Sequence, residues 1–328
     1  MRRSIVTVAA ALGGLALFAY AVRRAGAGEI LDAVRGVGWG LVPILGLGGV
    51  RFLIRAEAWR LCTPVDARVR WQDSFKAMLA GDAIGNVTPL GLLASEPTKV
   101  FLLRHHLAAR ESVSSLALDN LVYTASVLTM IASGVVVVLM TVPMPFEWQE
   151  IGVAMLVGLG VVALAFVLAL RGWWHAGRGQ RPPWRERLAE VRRSVLAFSA
   201  GHPSRLWRVF TLDVLFHVVA IVEAFLTLNW IAGHSGATFR QAVVFESLNR
   251  AITVAFKFVP FRVGVDEASS GAVAPLLGVD LTGGVALAIV RKVRNLFWAG
   301  IGLALIAAHR APAARATDPQ ESAPARRI

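Results

Sequence analysis

Long runs of apolar residues constrain this 328-residue chain more than any other feature of its sequence. A helix needs roughly 20 apolar residues to cross a hydrocarbon core about 30 Å thick. Such runs lie at about 4–22, 39–60, 117–141, 151–170, 209–231 and 281–308. Since 56% of the residues are hydrophobic and only 17% are charged, lipid is the natural surrounding. The sequence therefore predicts an all-α polytopic membrane protein with about six transmembrane helices.

Two further apolar segments, at about 72–94 and 240–277, are interrupted by proline, glycine and charged residues. Irregular backbone at membrane depth is tolerated only where protein or a watery cavity satisfies its hydrogen bonds. Both segments are therefore predicted to be re-entrant hairpins of broken helices that line a cavity.

The two hairpins share a spacing that indicates an internal repeat. Pro89 precedes Glu96 by seven residues, and Pro260 precedes Glu267 by seven. Three spans lie between the hairpins, so the second should enter from the opposite face. We expect an inverted repeat, with copies at about 39–141 and 209–308 inside a single domain of residues 1–310. Each glutamate is expected at the start of the half-helix after its hairpin, where simple capping competes with a binding role.

The charge distribution predicts the orientation. A net charge of +13 is compatible with nucleic-acid binding, but the charges lie between the apolar runs, which argues against that partner. Residues 171–208 carry nine arginines and two glutamates, whereas 142–150 contains two glutamates and no lysine or arginine. By the positive-inside rule, 171–208 and both termini should be cytoplasmic. We expect the protein to lie in the inner (plasma) membrane of a bacterium. The first apolar run is either a cleavable signal peptide or a retained anchor, and the anchor is favoured because Arg23 and Arg24 close it.

Residues 171–208 should also contain an amphipathic helix. Leu188, Val191, Val195 and Phe198 recur at helical spacing after a proline pair, with arginines elsewhere around the helix. This pattern favours a helix on an anionic lipid surface, with a plain linker helix as the alternative. The tail 311–328 is expected to be disordered.

Several charged residues fall inside apolar segments. Arg51 and Arg55 lie one helical turn apart in the second run, where a charge costs about 2.5 kcal/mol or more to insert. They should face a cavity, a partner or a phosphate, unless they snorkel to the interface. Glu246, Asn249, Arg250 and Lys257 share one helical face of the second hairpin, and the last run adds Arg291 and Arg294. Such charges either pair to hold the bundle together or bind substrate.

Acidic complements to these cations are expected at Asp119, Asp213 and Glu223, together with His217. Asp213 and His217 are one turn apart, which allows either a proton relay or an interhelical hydrogen bond.

The two blocks around the hairpins resemble a known family. Thr88-Pro89 followed by Ser95-Glu96-Pro97-Thr98-Lys99 is similar to a signature of proline, Gly-Glu-Pro and a basic residue. It is typical of the flippase-like membrane family, which is also named after the transmembrane region of lysylphosphatidylglycerol synthase and includes a hopanoid-associated branch. A second block matches at Pro260, Gly264, Glu267, Leu277-Gly278-Val279 and Arg291. The resemblance covers about 10–308. Ser95 replaces a usual glycine, and Phe261-Arg262 replaces a common glycine pair.

The resemblance implies a lipid or lipid-linked substrate that moves between leaflets, without the soluble domain that carries out aminoacyl transfer. Glycerophospholipids, polyprenyl phosphates and hopanoid-type lipids all remain open. The alternatives are an accessory subunit of a lipid or envelope glycan pathway, with a partner enzyme, and a membrane-embedded transferase. The predicted substrate-binding residues are Arg51, Arg55, Asn86, Pro89, Glu96, Lys99, Asp119, Glu246, Arg250, Lys257, Glu267, Arg291 and Arg294.

The sequence lacks the motifs of several enzyme classes. It contains one cysteine, no His-Glu-x-x-His pattern and no nucleotide-binding loop. We therefore expect no metal, no cofactor and no catalytic residue. The oligomeric state is open.

Overall fold

The computed structural model describes Arg23 and residues 27–64, 66–88, 91–143, 145–171, 183–231, 236–256 and 259–315. Regular structure within these ranges is entirely helical, as predicted. The helices are α1 (Ala27–Val37), α2 (Leu41–Cys62), α3 (Trp71–Val87), α4 (Leu92–Leu103), α5 (Ala109–Thr141), α6 (Phe146–Arg171), α7 (Pro183–Gly201), α8 (Pro203–Ile231), α9 (Phe239–Ala255), α10 (Val265–Val273) and α11 (Leu281–Arg315).

Within the described ranges, four helical stretches are long and apolar enough to cross a membrane: Val34–Cys62, Ala109–Thr141, Phe146–Ala165 and Pro203–Ile231. They coincide with four of the predicted spans. The predicted span 281–308 lies within α11, which has a span's length but carries Arg291, Lys292 and Arg294 in its middle. The first predicted span, 4–22, lies outside the described residues. The number of six spans therefore stays a prediction.

Helices α2 and α8 run antiparallel through the centre of the bundle. Cys62 at the end of α2 packs near Val209 at the start of α8. At the other end, a Cβ on Gly40 would lie 2.6 Å from the Trp230 ring. We call the side where α2 ends and where α5 and α8 begin the first end of the bundle, and the opposite side the second end.

Hairpin 1, formed by α3 and α4, enters from the first end. The Ser74 hydroxyl in the first turn of α3 donates to the Ala56 carbonyl at 3.0 Å. Leu103, the last residue of α4, packs with Trp59 and Leu116. Because both outer ends of the hairpin lie beside the end of α2, the chain turns back before crossing the bundle.

Hairpin 2, formed by α9 and α10, enters from the second end. The Gln241 side chain in α9 donates to the Leu277 carbonyl, which follows α10, at 2.7 Å. Ala242 and Ala274 share a buried cluster with Leu228 near the end of α8. A 3₁₀ turn at the tip, Pro260–Arg262, contacts α3 of hairpin 1. The two re-entrant hairpins therefore meet from opposite ends, as the sequence predicted, while the boundaries of the repeat stay a prediction.

Glycines let each hairpin pack closely against the long helix of the other half. A Cβ on Gly302 of α11 would lie 2.6 Å from the Leu79 carbonyl oxygen of α3. In the same way, a Cβ on Gly134 of α5 would overlap the Ser247 side chain of α9. Small residues at such crossings let backbones approach, and dispersion contacts then hold helices together in lipid. These crossings fix the position of both hairpin tips.

One expectation about the polar segments needs correction. The apolar face of α7 does not lie on lipid, since Val191, Val195 and Phe198 pack against the cluster that contains Leu118 at the first end. The bundle therefore covers the face that was expected to bind the membrane surface. Residues 172–182, and the side chain of Leu188, lie outside the described part. Helix α11 continues to Arg315, and residues 316–328 lie outside the described part, so the disordered tail stays a prediction.

Candidate functional site

A cavity of about 320 Å³ lies between the tips of the two hairpins. Its wall is formed by α2, α3, α4, α5, α8, α9, α10 and α11. Seven cationic side chains and three carboxylates line it within the described residues. The cations are Arg51, Arg55, Lys99, Arg250, Arg262, Arg291 and Arg294, and the carboxylates are those of Asp82, Glu96 and Asp266.

One cluster of charges centres on Glu223 of α8. Arg51 Nη1 donates to Glu223 Oε2 at 3.2 Å, and Arg294 Nη1 donates to Oε1. The Arg51 guanidinium also lies 4.5 Å above the Phe216 ring. Arg51 Nε is buried and has no hydrogen-bond partner in the described part of the chain. This Glu223 cluster combines two arginines with one carboxylate, which gives a net charge of +1.

A second cluster centres on Glu246 of α9. Arg250 donates to Glu246 Oε1 through Nε at 2.7 Å and Nη2 at 2.5 Å. Arg291 of α11 donates to Oε2 at 2.9 Å. Arg250 also donates to the Tyr123 hydroxyl at 3.2 Å. This Glu246 cluster again has two arginines on one carboxylate and a net charge of +1.

A third group has the opposite balance. Arg55 Nη2 donates to Asp119 Oδ2 at 2.6 Å, and Arg55 Nη1 donates to Asp213 Oδ1. The Arg55 guanidinium stacks on the Tyr123 ring, 4.2 Å from its centroid. This Arg55 triad joins α2, α5 and α8 and has one cation for two carboxylates.

The charges are arranged in two layers. The arginines of all three groups line the cavity, whereas Glu223, Glu246, Asp119 and Asp213 lie behind them and do not. Snorkelling is therefore excluded for Arg51 and Arg55, which are buried in the bundle with acidic partners. The cavity presents mainly guanidinium groups, the donors best suited to phosphate or carboxylate oxygens.

Hairpin 1 contributes polar groups to the wall. Lys99 Nζ and Glu96 Oε1 form an ion pair at 2.9 Å, while Glu96 Oε2 is buried without a hydrogen-bond partner among the described residues. Asn86 donates to Asp82 at 2.8 Å. Glu96 is the fifth residue of α4, so the prediction that it begins a half-helix is wrong. The helix begins earlier, at Leu92, where Gly91 packs tightly against Gly85.

Hairpin 2 holds its glutamate differently. Glu267 is the third residue of α10, as predicted, and its Oε2 accepts a hydrogen bond from the Gly264 N–H at 2.8 Å. Its Oε1 accepts from Lys292 Nζ at 2.5 Å. The side chain is fully buried and lies away from the cavity wall, so its role in substrate binding stays a prediction. Glu267 caps α10 and ties it to α11.

The structure thus brings most of the predicted residues together. Eight line the cavity: Arg51, Arg55, Asn86, Glu96, Lys99, Arg250, Arg291 and Arg294. Asp119 and Glu246 stand behind it, Glu267 lies apart, and Pro89 and Lys257 lie outside the described residues. His217 bonds Ser126 of α5 through Nε2 at 3.2 Å, which is the expected interhelical hydrogen bond.

Sequence reasoning missed Asp82, Tyr123, Phe216, Arg262 and Asp266 as wall residues. Tyr123 had a usable signal, because it is one of two tyrosines in the chain and lies one turn after Asp119. At the hairpin 2 tip, Phe261 and Arg262 have φ angles of 49° and 48°. These are left-handed conformations that glycine adopts freely, so the tip keeps a glycine-like backbone where the family often has a glycine pair.

Residues 5–302 match the family model described as the lysylphosphatidylglycerol synthase TM region. The chain belongs to this family. The match includes both hairpins and every residue of the cavity wall. No curated protein and no solved structure matches the chain. Family membership and the span-length helices together identify a membrane protein with a lipid-related function.

Proposed function

We propose that this protein is a lipid flippase that holds the anionic head group of a lipid, or of a lipid-linked substrate, in the cavity. The observation that carries this proposal is the pair of net-positive clusters on the cavity wall. Glu223 and Glu246 each hold two arginines, although one would neutralise the carboxylate. A surplus guanidinium buried in a bundle costs several kcal/mol, on the order of 3 to 5, unless an anion accompanies it.

A phosphate suits this wall. Its oxygens accept paired hydrogen bonds from guanidinium groups, and Arg51 Nε offers a buried donor with no partner in the described ranges. The cavity volume of about 320 Å³ suits a head group rather than a whole lipid. The acyl chains would then remain in the surrounding bilayer while the head group passes through the protein.

The opposed hairpins supply the two sides of a transport cycle. Their tips meet at the cavity, and each hairpin reaches a different end of the bundle. Rocking one half against the other would open the head-group site to one leaflet at a time, as in transporters with inverted repeats. We place the first end, with α7, in the cytoplasm of a bacterial cell and the protein in its inner membrane, because 171–208 is strongly basic.

Under this proposal the chain moves its lipid without converting it. Chemistry on the head group, where the pathway needs any, belongs to a separate partner enzyme. An anionic membrane surface would contact the arginines of 171–208 rather than the apolar face of α7.

Translocation in proteoliposomes tests the proposal. Fluorescent NBD-labelled phosphatidylglycerol, phosphatidylethanolamine and phosphatidylcholine are each reduced by external dithionite, and only label that reaches the outer leaflet is lost. We expect the protein to move the phosphatidylglycerol probe faster than the others, and Arg51→Gln to slow it at least tenfold. The variant should stay folded, because Glu223 keeps its ion pair with Arg294.

Arg60→Gln is the matched control, since Arg60 pairs with Glu57 on α2 and does not line the cavity. It should transport like the unmodified protein. Equal rates in empty and protein-containing vesicles for all three probes would contradict the proposal. Mass spectrometry of the recovered lipid should find it unchanged, and a converted lipid would favour a transferase instead.

A further inference from the structure

We propose that the Arg55 triad is a proton-binding site whose occupancy is linked to anion binding in the cavity. The proposal deepens the proposed function and rests on it. It assigns a role in energy coupling to Asp119 and Asp213, which do not touch the cavity themselves.

The geometry of the triad leaves two acceptor atoms unused. Each carboxylate gives one oxygen to Arg55, and the other oxygens, Asp119 Oδ1 and Asp213 Oδ2, are buried with no hydrogen-bond partner in the part of the chain described. Asp119 is 1% exposed and Asp213 is 0% exposed. A buried carboxylate oxygen that accepts no hydrogen bond from a protein group is costly to keep ionised.

The charge balance points the same way. Two carboxylates that share one guanidinium carry a net charge of −1, in contrast to the net +1 of each glutamate cluster. Like charges held this close do not easily coexist in a buried site, so one of the pair readily takes a proton. A proton from water would add to one of the unused oxygens, forming an O–H bond and a neutral triad, with no other bond broken.

The neighbouring groups limit where else a proton could bind. Each helix around the triad contributes charged or titratable side chains: Arg51, Arg55 and Cys62 from α2, Glu96 and Lys99 from α4, Tyr123 from α5, Arg205 and His217 from α8, and Glu246 and Arg250 from α9. The acids in this set, Glu96 and Glu246, both have cationic partners. His217 is the main competitor, and the experiment below includes it.

Arg55 connects the triad to the cavity. Its guanidinium lines the cavity wall and lies on the Tyr123 ring, whose hydroxyl accepts from Arg250 of the Glu246 cluster. With both carboxylates ionised, Arg55 is held between two anions. With one neutralised, the charge of Arg55 becomes available to an anion in the cavity. By linkage, protonation should raise anion affinity, and anion binding should raise proton affinity by the same factor.

Calorimetry on the purified full-length protein in detergent tests the inference. The probe is dihexanoyl phosphatidylglycerol below its micellar concentration, because its phosphodiester keeps one negative charge throughout the pH range used. We expect affinity to rise at least fivefold from pH 8 to pH 6. Titrations in two buffers with different ionisation enthalpies should show that binding takes up protons.

Asp213→Asn is the decisive variant, because it mimics the neutral carboxyl group. It should bind with the same affinity at both pH values, close to that of the unmodified protein at pH 6, and without proton uptake. Asp119→Asn serves the same purpose if Asp213→Asn does not fold. His217→Gln is the matched control and should keep both the pH dependence and the proton uptake.

The outcomes separate the two proposals. Absence of probe binding at either pH would contradict the head-group site and, with it, this inference. Binding that is independent of pH and takes up no protons would leave the site intact and overturn the inference alone. Loss of proton uptake in His217→Gln, with uptake retained in both aspartate variants, would place the proton on His217 and also overturn it.

Discussion

The two hairpins have the same spacing of proline and glutamate, yet the structure uses the two glutamates differently. Glu96 lies in the cavity wall, with one oxygen on Lys99 and the other free of partners in the described chain. Glu267 is buried at the start of α10, away from the cavity, and both of its carboxylate oxygens accept hydrogen bonds. A matched spacing therefore predicted a matched topology but not a matched role.

The difference follows from what each second helix packs against. In hairpin 1, α4 lies along α3, and a Cβ on Gly81 would be 2.6 Å from Lys99 Cγ. In hairpin 2, α10 packs mainly on α11, where a Cβ on Gly271 would be 2.8 Å from a methyl group of Val285. Glu267 therefore faces a helix–helix contact, and Glu96 faces the space between the hairpins.

Glu267→Gln should give the largest effect on stability. The amide still accepts the hydrogen bond from Gly264, but it leaves Lys292 without a counter-charge, and that side chain is only 14% exposed. Breaking a buried ion pair by removing one partner costs about 3 kcal/mol or more. Thermal unfolding in detergent, followed by tryptophan fluorescence, should show a clear loss.

The double variant Glu267→Gln/Lys292→Met is the control for that measurement. With no unpaired charge left, most of the lost stability should return. A stable single variant with impaired lipid translocation would instead place Glu267 in the functional site and make the hairpins equivalent.

Glu96→Gln should have a smaller effect on stability and a larger one on translocation. Glu96 is 24% exposed and Lys99 borders the cavity, where water can reach an unpaired ammonium, so the stability loss should be smaller than for Glu267→Gln. The change alters the charge of the cavity wall at Oε2, and transport should fall by more than tenfold. Lipid translocation and thermal unfolding should be measured on the same preparation. Full translocation activity of the variant would show that Glu96 is not part of the site.

Single-cysteine substitutions should disturb the protein least. Their labelling tests whether the two hairpins enter from opposite sides of the membrane. Gln72→Cys at the start of hairpin 1 and Arg240→Cys at the start of hairpin 2 both replace exposed residues, in a background with Cys62→Ala. An impermeant maleimide should reach position 72 only from the cytoplasmic side and position 240 only from outside. Labelling of both from the same side would refute entry from opposite ends.

The sequence by itself determined the helical membrane fold, four of the span-length helices and both hairpins. Insertion into lipid depends on the length of each apolar run and on whether proline, glycine or charged residues interrupt it, and both are local properties of the sequence. It also located eight residues of the cavity wall, since a charge at membrane depth needs a polar surrounding whatever the fold.

The pairing of those charges was decided by tertiary structure alone. Glu223 lies 172 positions from Arg51, and no spacing in the sequence shows that they meet or that Arg294 joins them. The packing of the bundle against the apolar face of α7 also depends on contacts between residues far apart in the sequence. The same holds for the different roles of Glu96 and Glu267. Each depends on how far one helix is shifted and rotated against another, and that register is set by the close glycine contacts between distant parts of the chain.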